Sequence, residues 1–230
     1  MSLVQYTYDD AERLVDALNL KIQTDLNQAI EQNGQATLAV SGGNTPKPLF
    51  AKLASNKVID WSNVTVMLVD ERWVSDDAEA SNQRLVKQHL LTAYAAKANY
   101  LLINKTAPTI EDAIAQFSPE VKQYLPLDVV VLGMGNDGHT ASLFPCSEEL
   151  AHGLNLNNEA VVLSTTPTTA PHKRISLTLR NIVTAKNVYL HITGAEKKDI
   201  LLDAVEHRTE MEKPIAAVAK HAELQLVWAP

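Results

Sequence analysis

The chain has 230 residues, 46% hydrophobic and 20% charged, which reads as one compact domain over residues 1–230 and excludes disorder and a coiled coil. Its 20 Lys and Arg against 27 Asp and Glu give a formal net charge of −7. That balance argues against a nucleic-acid footprint or a polybasic membrane patch, so an anionic ligand needs a local basic cluster.

The N-terminus, Ser2 to Asp10, has neither a basic stretch nor an apolar one, so no secretory leader is expected. The longest apolar run, Val129 to Gly135, falls far short of the roughly 20 residues that span a membrane. A single cysteine, Cys146, agrees with a reducing compartment and reads as an inert small apolar residue. The expectation is a cytoplasmic protein.

Short apolar, β-branched runs alternate with segments of helical period, the pattern of an α/β three-layer sandwich with a mostly parallel, Rossmann-like central sheet. The first helix is expected from Asp9 or Asp10 to Glu31, with Leu14, Leu18, Ile22, Leu26 and Ile30 on one stripe. Strands are expected at Ala36–Ser41, Val64–Asp70, Tyr100–Ile103, Leu127–Gly133, Ala160–Thr165, Ile175–Leu179, Val188–Thr193 and Leu224–Trp228. Helices are expected at Pro46–Ala54, Ser81–Ala95, Ile110–Gln123, just before Ala185, and at Ala195–His207.

In an open α/β sheet, ligands bind beyond the carboxyl ends of the strands. Ser41-Gly42-Gly43-Asn44-Thr45-Pro46 leaves one such end and enters a helix. It reads either as an ordinary glycine-rich turn or as a cradle of backbone N–H groups for a phosphate; no Gly-Lys-Ser or Gly-Lys-Thr follows, so it is not a P-loop. Asp70-Glu71-Arg72-Trp73 ends the next strand, with Asp70 and Arg72 on one side by alternation. The triplet is either a solvated loop or part of a substrate clamp.

Gly133-Met134-Gly135-Asn136-Asp137-Gly138-His139 contains a formal G-x-G-x-x-G. It lies far into the chain, and the following strand ends without the acidic residue that would hold a ribose, which speaks against a dinucleotide. The glycines instead deliver His139, whose ordinary pKa suits proton transfer at neutral pH, with Asp137 placed to orient it. The other histidines, such as His89 and His207, read as surface residues. Arg174 and either Lys197 or Lys198 complete a scattered basic set. No metal-ligand cluster and no G-x-S-x-G nucleophile motif occurs; Ser142 reads as a helix residue.

Together these segments, with Ser81-Asn82, Thr140-Ala141-Ser142-Leu143-Phe144-Pro145, Arg174-Ile175-Ser176-Leu177-Thr178-Leu179 and Thr193-Gly194-Ala195-Glu196-Lys197, resemble the compact α/β 6-phosphogluconolactonases, relatives of the glucosamine-6-phosphate isomerase/deaminase superfamily. The likeness covers almost the whole chain. The deaminases typically carry a glutamate before the proline that closes the Asp-Gly-His segment, where this chain has Phe144, and an aromatic residue after Asp-Glu, where it has Arg72. Both departures favour lactone hydrolysis.

The resemblance implies a hydrolase of 6-phosphogluconolactone, a small sugar phosphate lactone. With no metal-ligand cluster it is expected to need no cofactor, the charge balance leaves no nucleic acid or membrane partner expected, and a monomer is expected. His139, Asp137 and Arg72 are then the expected catalytic residues. Gly42, Gly43, Asn44, Thr45, Asp70, Arg174 and Lys197 are expected to bind substrate, without a metal. The rival readings are an amino-sugar phosphate deaminase or isomerase on the same scaffold and a non-catalytic sugar-phosphate sensor.

Overall fold

The computed structural model describes residues 2–230. The strands are β1 (Ser2–Thr7), β2 (Ala36–Val40), β3 (Val64–Leu68), β4 (Asp70–Arg72), β5 (Asn99–Tyr100), β6 (Val129–Leu132), β7 (Val162–Thr165), β8 (Arg174–Leu177), β9 (Asn187–Thr193) and β10 (Glu223–Ala229). The α-helices are α1 (Ala11–Asn33), α2 (Lys47–Ala54), α3 (Asn82–His89), α4 (Ile110–Lys122), α5 (Leu150–Leu154), α6 (Leu179–Val183), α7 (Ala195–His207) and α8 (Ile215–His221).

Seven strands form a central sheet in the order β1-β10-β9-β6-β2-β3-β5, and every pairing in it is parallel. Both faces are apolar because both are covered. On one face Ala39, Val130 and Leu132 pack with Phe117 of α4, Leu201 of α7 and Ala217 of α8. On the other, Leu38, Val40, Val129 and Val131 pack with Leu14 and Leu18 of α1, Phe50 of α2 and Val86 of α3. The expected three-layer sandwich is therefore present.

The first helix begins where its cap dictates: the Asp10 side chain accepts from the Arg13 backbone N–H, satisfying a donor that the helix leaves unpaired. Gly34, at φ 76°, ends it in the left-handed conformation. No helix among the described residues is long and apolar enough to cross a membrane.

Several expectations need correction. The segments expected as strands at Ala160–Thr165 and Ile175–Leu179 do not join the main sheet; β7 and β8 form a separate antiparallel sheet with β4. The expected strand Val64–Asp70 breaks at its end. The Val69 N–H still bonds to the Val40 carbonyl, but its own carbonyl accepts from Leu177, so the chain changes sheets there. Tyr100–Ile103 shrinks to the short edge strand β5, and the helix expected to reach Ala95 stops at His89. The strand β1 and the helices α5 and α8 were not foreseen; for α8 the signal was Pro214 at its cap position.

Candidate active site

The loop after β2 carries the two glycines into α2, with Pro46 as the cap residue. Gly43 sits at φ 96°, a conformation that favours glycine. A Cβ on Gly42 would lie 1.9 Å from Asn82 Oδ1, so a side chain there would have to displace the buried Asn82 amide, whose Nδ2 donates to the Asp70 carbonyl at 3.0 Å. The Gly133 N–H donates to Ser41 Oγ at 3.2 Å, tying this loop to the one that leaves β6.

At β4 the alternation expected for the charged triplet holds. Asp70 and Arg72 line the cavity beside the glycine loop, whereas Glu71 turns away and is fully buried. Its carboxylate accepts from the backbone N–H groups of Arg72 at 2.6 Å, Asn82 at 2.9 Å and Gln83 at 2.7 Å, and from Ser81 Oγ at 3.1 Å. It thus fastens the N-terminus of α3 to β4, where a negative charge is favoured. Lys105 Nζ lies 3.5 Å from the same carboxylate and donates to the Arg72 carbonyl at 2.6 Å.

Arg174 stands opposite Arg72 in the register of β4 and β8 and lines the same cavity. Its guanidinium donates to the carbonyls of Pro171 at 3.1 Å and His172 at 3.4 Å. Burial, reinforced by the charge of Arg72, holds its pKa below the ordinary arginine value against the pull of Asp70.

The glycine-rich turn after β6 delivers the imidazole. Gly138, at φ 82°, donates to the Gly135 carbonyl at 3.0 Å, and the Gly135 N–H to the His139 carbonyl at 2.9 Å. His139 Nδ1 lies 2.6 Å from Asp137 Oδ1, which also accepts from the His139 backbone N–H at 3.1 Å. Burial pushes the Asp137 carboxyl up, but the hydrogen bonds and charge of His139 outweigh it and hold the group below its ordinary value. With Nδ1 engaged, Nε2 is the nitrogen that the ring offers to the cavity. The Phe144 ring stacks on the imidazole, with centroids 4.0 Å apart and an interplanar angle of 24°.

Ser142 is not the helix residue that was expected. It sits in a turn, where its hydroxyl donates to Asp70 Oδ2 at 2.6 Å and its N–H to Ser176 Oγ at 3.1 Å. These bonds dock the histidine turn onto β4 and β8. The α8 segment holds the other side, since the Ile215 N–H donates to the Gly138 carbonyl at 3.0 Å.

Of the two candidate lysines, Lys197 enters the cavity and donates to the Met134 carbonyl. Lys198 lies 4.1 Å over the Trp228 ring instead. Burial lowers the Lys197 pKa, partly offset by Asp137 and Glu196.

Gly42, Gly43, Asn44, Thr45, Asp70, Arg72, His139, Arg174 and Lys197 thus line one cavity of about 260 Å³, and Asp137 stands behind His139. The structure adds Asn82 and His191 to the lining. Asn82 lay within a quoted motif but had no assigned part. His191 departs from the surface reading of the remaining histidines: it is 3% exposed, because β9 is an interior strand covered on both faces. Cys146, read as an inert small apolar residue, is partly exposed, with Sγ 3.2 Å from Thr169 Oγ1.

The chain is similar to known proteins along its length. The profile of the family described as glucosamine-6-phosphate isomerases/6-phosphogluconolactonase matches residues 9–228. A 6-phosphogluconolactonase of Rhizobium meliloti (strain 1021) is 40% identical over 233 residues, covering 100% of both chains. One from Pseudomonas putida is 38% identical, covering 96% of this chain and 90% of its own. The crystal structure of a 6-phosphogluconolactonase from Shewanella baltica OS155 superposes with a TM-score of 0.95 at 40% identity, covering 100% of this chain and 98% of the other. A chain matched along nearly its whole length in sequence and in fold belongs to the glucosamine-6-phosphate isomerase/6-phosphogluconolactonase family.

Proposed function

We propose that this protein hydrolyses 6-phosphogluconolactone to 6-phosphogluconate in the oxidative pentose phosphate pathway, with His139 as general base and then general acid. The observation that carries the reading is that a glycine loop suited to a phosphate and a carboxylate-bound imidazole open into one cavity. The relatives' lactonase activity supports the substrate class.

The Nε2 lone pair of neutral His139 takes a proton from a water molecule as its oxygen attacks the lactone carbonyl. Asp137 accepts the Nδ1–H and stabilises the imidazolium that forms. Arg72 stabilises the tetrahedral oxyanion. As the oxyanion collapses, the bond from the carbonyl carbon to the ring oxygen breaks, and the imidazolium returns its proton to that oxygen. The carboxylic acid product ionises on release. Gly42, Gly43, Asn44, Thr45, Arg174 and Lys197 hold the phosphate, and Asp70 accepts from a sugar hydroxyl, fixing the carbonyl relative to His139.

The apolar Phe144 ring against His139 weighs against the deaminase reading, since no carboxylate occupies that position. We place the reaction in the cytoplasm, carried out by a monomer without cofactor.

The test is pH-stat hydrolysis of freshly prepared 6-phosphogluconolactone and of phosphate-free gluconolactone, with wild type and His139→Ala. The wild type should hydrolyse the phosphorylated lactone well above the spontaneous rate, and His139→Ala should lose most of that excess. Acid release no faster than background from the wild type would overturn the assignment.

A further inference from the structure

His191 has no part in the reaction described above. It lies on β9, on the face of the sheet that meets α1 and α2, beside Tyr189 and Val227 in that apolar layer. The register pairs Leu132 with Leu190, which places Gly133 next to His191, and the Gly133 N–H is the group that donates to Ser41 Oγ. The ring therefore lies beneath the loop from Ser41 to Pro46. It lines the cavity that holds that loop and, on its other side, a groove bounded by Glu12, Asp16 and Lys52.

The imidazole is 3% exposed, and its Nδ1 is sealed from solvent with no hydrogen-bond partner among the described residues. A polar ring left unpartnered in an apolar layer costs stability that a leucine or valine would not. A neutral imidazole carries a proton on one nitrogen and a lone pair on the other. With Nδ1 enclosed, Nε2 is the nitrogen that can meet a ligand in the cavity.

We propose that His191 is a substrate-binding residue whose Nε2–H donates a hydrogen bond to a phosphate oxygen held by the glycine loop. The inference rests on the reading that this loop takes the phosphate. Burial keeps the ring neutral at neutral pH, with its pKa lowered to about 4, so it contributes a directed donor while Arg174 and Lys197 contribute charge.

The experiment compares kcat/KM for 6-phosphogluconolactone with kcat/KM for phosphate-free gluconolactone in wild type, His191→Leu, His191→Gln and Lys197→Ala. Both substrates are assayed on the same preparation, so a loss of folded protein cancels in the ratio. His191→Leu should lower the ratio about tenfold, the effect of losing one hydrogen bond to a charged group. His191→Gln, which retains an N–H near the position of Nε2, should recover most of it.

If Lys197→Ala lowers the ratio and His191→Leu leaves it within twofold, the inference fails and the phosphate reading stands. If neither variant moves the ratio, the phosphate reading falls and takes the inference with it. Equal losses in His191→Leu and His191→Gln would assign the effect to packing and overturn the donor role.

Discussion

Arg72 and Arg174 face each other directly across β4 and β8, on the side of the small sheet that looks into the cavity. Like charges in this cross-strand position repel, and each guanidinium is held in place by a backbone carbonyl, Ala80 for Arg72 and Pro171 for Arg174. An anion between or beside them relieves the repulsion. Inorganic phosphate and 6-phosphogluconate should therefore raise the melting temperature, by the equivalent of about 2.7 kcal/mol at a hundredfold excess over Kd. Arg174→Met should lose most of this shift in a thermal titration at constant ionic strength; an undiminished shift would remove Arg174 from the anion site.

His139→Ala should reduce kcat roughly 10²–10⁴-fold, leaving the catalysis due to binding and electrostatics. Asp137→Asn should cost at least about tenfold in kcat with a smaller change in KM, because the carboxylate that stabilises the imidazolium is lost. Asp137 has a lowered folded pKa, so the stability it adds is present above its ordinary value of 3.8 and disappears as pH falls through the lower folded value. Melting curves of wild type and Asp137→Asn should accordingly converge in strong acid and separate at neutral pH.

Gly135→Ala should damage the site without unfolding the protein. A Cβ there would lie 2.2 Å from His139 Cε1 and 2.6 Å from Asp137 Oδ1, so the dyad itself must shift. Steady-state kinetics should show kcat falling by about a hundredfold, in line with a displacement near 1 Å in an active site, while the far-UV circular dichroism is retained. Wild-type kcat in this variant would show that the dyad geometry is not what drives turnover.

Glu71→Ala removes a buried carboxylate that serves three backbone N–H groups, Ser81 and Lys105. The Lys105 ammonium, whose pKa burial already lowers and Glu71 supports, is left without its partner. Breaking such a pair costs about 3–5 kcal/mol, to be read from urea unfolding. A loss under about 1 kcal/mol would show that α3 and β4 hold their places without it.

His191 predicts a slope in stability against pH. Burial lowers its folded pKa from 6.5 to about 4, so between those values the unfolded chain binds a proton that the folded chain does not. Its effect is absent above 6.5, grows as pH falls through that window and levels off below about 4, reaching on the order of 3 kcal/mol of lost stability. His191→Leu should flatten this part of the profile of melting temperature against pH; an unchanged slope would assign it to other groups.

Alternating apolar and helical-period segments determined the layered α/β architecture, because a parallel strand covered on both faces is largely apolar, as the fully buried β2, β3 and β6 are apart from Thr37 and Thr65. The glycine, charged-triplet and histidine segments were legible for a related reason: they follow strand ends, where a polar run has no core to serve. Local pattern could not reveal that the chain leaves the main sheet after Val69 or that β8 sets Arg174 against Arg72. Nor could it reveal that α8 clamps the histidine turn or that His191 lies beneath the glycine loop. Those relationships join residues far apart in the chain, and only the packing of strands and helices into one body decides which of them meet.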